Sequence, residues 1–118
     1  MVNKNVGSTV YVGVRVRNTG TVTHTFKIGV SIGYGNTWYD LGYYNDGYGE
    51  YKDVTILPGT EVIVERTLQI PNDTNITDVW ASVKDQSLNI MDEEIKFNAL
   101  VVAAAAVVSA EIISISVS

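Results

Sequence analysis

The chain contains no cysteine, two prolines, two phenylalanines and one histidine among 118 residues. Without cysteine there is no disulfide framework, no thiolate-bound zinc and no thiol nucleophile, so stability has to come from packing. With His24 as the sole histidine, a Ser-His-Asp triad or a His-rich metal site would have to run through that one residue. Basic residues are also scarce, 8 against 13 acidic ones, which gives a net charge of −5 and a pI near 4.6. Repulsion between like charges then argues against a nucleic-acid partner. A long unbroken apolar run is missing too. Residues 97–117 are rich in Val, Ala and Ile, but Asn98, Ser109, Glu111, Ser114 and Ser116 interrupt them, short of the about 20 apolar residues a spanning helix needs. Buried core, not a membrane span, is the expectation there. Residues 1–5 are polar and lead straight into a strand pattern, unlike a secretory signal peptide. A mass of 12.9 kDa suits one domain with a real core.

What is present is period-two alternation. Val10, Val12, Val14 and Val16 alternate with Tyr11, Gly13, Arg15 and Arg17, the pattern of a strand with one buried face. Asn18-Thr19-Gly20 tolerates positive φ, and Phe26, Ile28, Val30 and Ile32 then alternate with Thr25, Lys27, Gly29 and Ser31, which predicts a hairpin. Residues 37–44 read as a shorter third strand and residues 51–57 as a fourth. Leu57-Pro58-Gly59-Thr60 is turn chemistry, since proline presets φ at the second position and glycine tolerates the third. Val62, Val64, Leu68 and Ile70 make a fifth strand. Arg66 falls in its apolar phase, which predicts a bulge there in preference to an arginine reaching the sheet edge. After a turn at residues 71–75, Val79, Ala81 and Val83 mark a sixth strand. Residues 88–97 carry a weak strand signal, and residues 98–108 read as a buried strand although their alanine run favours helix. Ile113, Ile115 and Val117 alternate with Ser114, Ser116 and Ser118 in a final strand.

Seven to nine short strands with Gly, Pro and Asn turns, and no amphipathic helix, predict an all-β chain folded as an immunoglobulin-like antiparallel β-sandwich. Val14-Arg15-Val16-Arg17-Asn18-Thr19-Gly20, Leu57-Pro58-Gly59-Thr60-Glu61 and Val79-Trp80-Ala81-Ser82-Val83-Lys84-Asp85 together resemble CARDB-type and related immunoglobulin-like modules over residues 9–85. The resemblance implies that fold, and a place among the spacers, adhesion units and filament subunits of archaeal and bacterial surfaces. Such modules open with an edge strand upstream of the one at residues 10–17. Here only residues 1–8 precede it, while residues 111–118 look like that opening strand at the other end of the chain.

The expectation is a permuted module: one domain over residues 1–118, whose terminal strand pairs with its own sheet or, by β-augmentation, with a neighbouring subunit. A head-to-tail contact that does not close generates a filament. Ile112, Ile113, Ile115 and Val117 are then the donor contacts, and Val10, Val12, Val14 and Val16 belong to the receiving sheet. The function expected is that of a non-enzymatic structural subunit of an extracellular filament, surface layer or virion, with copies of itself or neighbouring surface proteins as partners.

A second reading starts from the aromatic residues. Tyr34, Tyr39, Tyr43, Tyr44, Tyr48 and Tyr51 cluster around Trp38, and such rings can stack on sugars because each has a flat apolar face and a polar tip. Trp38, Tyr39, Tyr43, Tyr44 and Tyr48 would then form the glycan surface of a carbohydrate-binding or adhesion module, unless half of them point inward. Asp40, Asp46, Glu50 and Asp53, near Asn45 and Gly47, do not follow the EF-hand order, so no metal is expected. No cofactor is expected either, and His24 has neither a nucleophile elbow nor a partner base in view. Asp92-Glu93-Glu94 reads as a charged strand edge. Asn72 and Asn75 head adjacent Asn-x-Thr tripeptides on a predicted turn, where glycosylation is expected if the chain is exported.

Overall fold

The computed structural model describes residues 1–105 and 109–118. Among them are nine strands and no helix: β1 (Val2–Asn5), β2 (Thr9–Arg17), β3 (His24–Tyr34), β4 (Thr37–Tyr39), β5 (Lys52–Ile56), β6 (Glu61–Gln69), β7 (Asp78–Lys84), β8 (Ile90–Lys96) and β9 (Leu100–Ala103). β2 and β6 pair antiparallel in unbroken register from Thr9↔Gln69 to Arg17↔Glu61. The second sheet has five strands in the order β4-β3-β7-β8, with β5 also on β3. β3 is long enough to take β5 along His24 to Ile28 and β4 along Ile32 to Tyr34, on the edge opposite β7. β1 and β9 form a short parallel pair.

The alternating valines and isoleucines bury one face of each sheet against the other, giving the antiparallel all-β sandwich that the pattern predicts. Its core has two parts. Val10, Val30, Ile32, Leu68, Ile70, Ile76, Leu100 and Val102 fill one end, and Val16, Ile28, Ile56 and Val64 fill the other. Arg66, with no exposed surface, lies on β6 between Val64 of one group and Leu68 of the other.

Several local expectations give way to tertiary pairing. β2 and β3 are not a hairpin, because each finds its partner in a different sheet. Asn18 at the corner between them is 2% exposed, and its Nδ2 donates to the carbonyls of Val22 and Ile56 at 2.8 Å each while Gly20 N–H donates to its Oδ1 at 2.9 Å. Those bonds carry the chain across the sandwich in place of a hairpin turn. The third strand stops at Tyr39, since residues 41–43 turn and only Tyr44 bridges to Leu68. Arg66 causes no bulge, and its register with Val12 is regular. At the β8–β9 corner Asn98 takes φ 53, and Asp78, itself buried, accepts its N–H at 3.0 Å. Among the described residues of the buried stretch expected over residues 97–117, Leu100 and Val102 are buried. Ala106, Val107 and Val108, the end of the strand expected over residues 98–108, lie outside the described residues.

Candidate functional site

β2 makes its ladder with β6 alone; among the described residues no strand pairs with its second edge. The strand that precedes it, β1, turns away at Gly7 (φ 83) and pairs with β9 instead. Consequently Val10 and Val16 are buried by the ends of the sandwich, whereas Val12 and Val14 between them are only half-buried. The other half of the expected contact is equally open. Residues 109–118 form no strand and no hydrogen bond with the sandwich among the described residues. Ile112, Ile113, Ile115 and Val117 are 80%, 83%, 80% and 93% exposed, values no folded aliphatic core would leave. The two sets of residues expected to meet are therefore both present and not joined within one chain.

The sandwich that carries this edge is pinned internally by Arg66. Its Nε donates to Asp46 Oδ2 at 2.8 Å, its Nη2 to Asp46 Oδ1 at 3.3 Å, and its Nη1 to the carbonyls of Ile28 and Glu50 at 2.9 and 3.2 Å. A further bond goes to the Gly49 carbonyl, and the guanidinium lies 3.8 Å over the Tyr44 ring. The Tyr44 hydroxyl accepts Val30 N–H at 2.9 Å and donates to the Val30 carbonyl. Arg66 and Tyr44 thus satisfy the stretch of β3 that lies between β4 and β5, where the ladder is interrupted. Burial raises the Asp46 pKa, but the bonds from Arg66, Thr67 N–H and Tyr48 N–H outweigh it and hold the carboxyl below its ordinary value.

The aromatic cluster is dispersed by the same folding. Tyr34 and Tyr39 both donate to Asp73 Oδ2 at 2.7 Å, and Tyr43 packs edge-on to Tyr39 with centroids 5.2 Å apart. Hydrogen bonding to Asp73, then burial, raises both phenols, Tyr39 to about 12. Trp38 stands edge-on to Trp80 on the outer face of the five-stranded sheet, and Tyr48 is exposed under Lys52 Nζ, 4.3 Å from its ring. Of the five rings expected to face a glycan, Tyr39, Tyr43 and Tyr44 are engaged in internal contacts, and Trp38 and Tyr48 form no ring pair with each other among the described residues.

Three of the four acidic candidates, Asp40, Asp46 and Asp53, are similarly occupied. Asp46 takes Arg66, Asp53 takes Lys27 at 2.9 Å, and Asp40 accepts Ser31 Oγ at 2.9 Å. Among the described residues no three His, Cys, Asp or Glu side chains gather as a metal site. Gly29 to Gly33 also reads Gly-x-Ser-x-Gly, a pattern that the strand alternation conceals. In a nucleophile elbow the serine sits on a strand-to-helix turn, whereas Ser31 lies in the interior of β3, and His24 is seven positions away on the same strand, about 23 Å at strand rise. Asn72 and Asn75 are exposed on the β6–β7 turn. Among the described residues no helix is long and apolar enough to cross a membrane. No protein-family model, curated protein or solved structure matches the chain.

Proposed function

We propose that the protein is a non-enzymatic structural subunit that polymerises by strand addition, residues 111–118 of one copy pairing with the sandwich of the next. The observation that carries this reading is the alternating segment Ile113, Ile115, Val117, left unpaired and exposed beside a domain whose β2 edge is also unpaired. Each of those side chains gains about 1.5–3 kcal/mol on full burial, and the backbone gains a ladder of hydrogen bonds, set against the cost of association. Because donor and acceptor are different surfaces of one chain, the contact is heterologous and propagates into a filament wherever its rotation does not close a ring. An extracellular filament, surface layer or virion is the setting that suits such a polymer, and the resemblance to CARDB-type modules points the same way.

Light scattering and negative-stain microscopy of the full chain across concentration test the proposal against a chain lacking residues 111–118. The full chain is expected to give concentration-dependent polymers, and the truncated chain a folded monomer with unchanged circular dichroism, since the removed residues make no contact with the sandwich. A full chain that stays monomeric at every concentration, or a truncated chain that polymerises equally well, would sink it.

A further inference from the structure

Resting on that reading, the geometry points to one acceptor: the open edge of β2, where the donor strand extends the two-stranded sheet and lays its odd-numbered side chains over β7. Four observations select this place. First, the ladder fixes which backbone groups are free. Ile70 N–H donates to Ser8 O at 2.8 Å and Asn18 N–H to Thr60 O at 3.0 Å, so the even-numbered residues of β2 exchange bonds with β6. β6 confirms the parity, since Thr67 and Gln69 turn their groups outward to Asn45 and Tyr43. The N–H and C=O of Thr9, Tyr11, Gly13, Arg15 and Arg17 therefore point to the open side, and none of them has a backbone partner among the described residues.

Second, the layers differ in width. Two strands, β2 and β6, face the five-stranded sheet, which is four strands across because β4 and β5 share one edge of β3, and the uncovered margin lies beside β2. Three depressions of about 370, 260 and 560 Å³ run end to end along it, sharing Val12, Gly13 and Arg15 at their junctions. Their floor is the inner face of β7, half-buried Val79, Ala81 and Val83, and one added strand at the usual spacing of about 4.8 Å covers it.

Third, the donor matches in phase. A strand whose even-numbered backbone groups meet the odd-numbered groups of β2 turns Ile113, Ile115 and Val117 down onto Val79, Ala81 and Val83, and leaves Ser114, Ser116 and Ser118 outside. Ile112 is then an outward residue, unlike its three neighbours.

Fourth, the edges of the other long strands are closed or hostile over at least part of their length. β6 is covered at Thr67 and Gln69 by residues 43–46, β3 between β4 and β5 is filled by Tyr44 and Arg66, and β8 presents Asp92, Glu93 and Glu94, which repel an incoming strand that carries Glu111. β2 instead carries Arg15 and Arg17, two largely exposed cations that share the single carboxylate of Glu61.

The test is residue-resolved hydrogen exchange on the full chain, kept dilute as the subunit or allowed to assemble, alongside Gly13→Pro and Ile115→Asp. Tyr11, Gly13, Arg15 and Arg17 amides should exchange at least about tenfold more slowly in the assembly, while the amides of Val12 and Val14, already bonded to β6, are protected in both states. Gly13→Pro removes an outward N–H that no fold contact uses, so it should leave the subunit folded and cut assembly, as should Ile115→Asp. Ser116→Asp, on the outward phase, should assemble. If the tail becomes protected in the polymer but the β2 edge amides do not, the acceptor is elsewhere and this inference falls while the proposed function stands. If the tail amides stay unprotected in the polymer, or no polymer forms, both fall.

Discussion

Replacing Asp46 with alanine leaves the Arg66 guanidinium, which has no exposed surface, without its counter-charge in the middle of the sandwich. Removing one partner of a buried ion pair costs about 3–5 kcal/mol, because the surviving charge stays desolvated. Three carbonyls and the Tyr44 face still surround Arg66, which places the loss at the lower end, about 3 kcal/mol. In a domain whose total stability is of order 5–15 kcal/mol, that is a large fraction, and it corresponds to a fall in Tm of about 10–15 °C at this size. Urea unfolding followed by circular dichroism at pH 7 measures it, with an unchanged slope m showing that the transition remains two-state.

Arg66→Met should also destabilise, contrary to many buried pairs, since methionine cannot satisfy the carbonyls of Ile28, Gly49 and Glu50. A depressed carboxyl pKa contributes stability that is complete above the unfolded value near 3.8 and is lost as pH falls through the folded value. The gap between wild type and Asp46→Ala should therefore close below pH about 4. A loss under about 1 kcal/mol at pH 7, the range of exposed pairs, would refute the picture of Arg66 as a desolvated pin.

Tyr44→Phe removes the hydroxyl that serves both backbone groups of Val30. A loss of about 1–3 kcal/mol is expected, with selectively faster hydrogen exchange at the Val30 amide; unaltered exchange there would contradict it. Gly33→Ala places a Cβ 2.0 Å from the Thr37 carbonyl oxygen, so the β3–β4 pairing has to open, at more than about 3 kcal/mol, visible as lost cross-strand contacts in NMR spectra. Ultraviolet titration should show Tyr39 ionising near pH 12, above its ordinary 10.0, with Tyr34 also late, and Asp73→Asn should bring both back toward normal. Since those phenols hold their protons more tightly when folded, the associated stability is full below pH 10.0 and declines as pH rises through their folded values, about 12 for Tyr39.

Much of the fold is legible along the chain. Val10 and Val16 of β2 and Ile28, Val30 and Ile32 of β3 bury the faces their alternation assigns, while Val12, Val14 and the aliphatics of β7 are half-buried. Leu57-Pro58-Gly59-Thr60 turns as its residues require, with φ 73 at Gly59 and Thr60 N–H donating to Leu57 O. Arg66 was legible as an anomaly but not as a pin, because its ligands come from segments 16 to 38 positions away. The tyrosine cluster shows the same limit: adjacency in sequence says nothing of which ring meets Asp73, Arg66 or solvent.

Sequence alone determined the period-two phase of the long core strands, the places where Gly, Asn and Pro permit a turn, and the absence of any disulfide, because side-chain direction follows from backbone geometry residue by residue. Tertiary structure alone decided that β2 pairs with β6 and not β3, that β1 leaves β2 for β9, and hence that one long edge stays open. The physical reason is that backbone hydrogen bonds are the same for every sequence, so the choice of partner strand rests on how distant faces pack across the core.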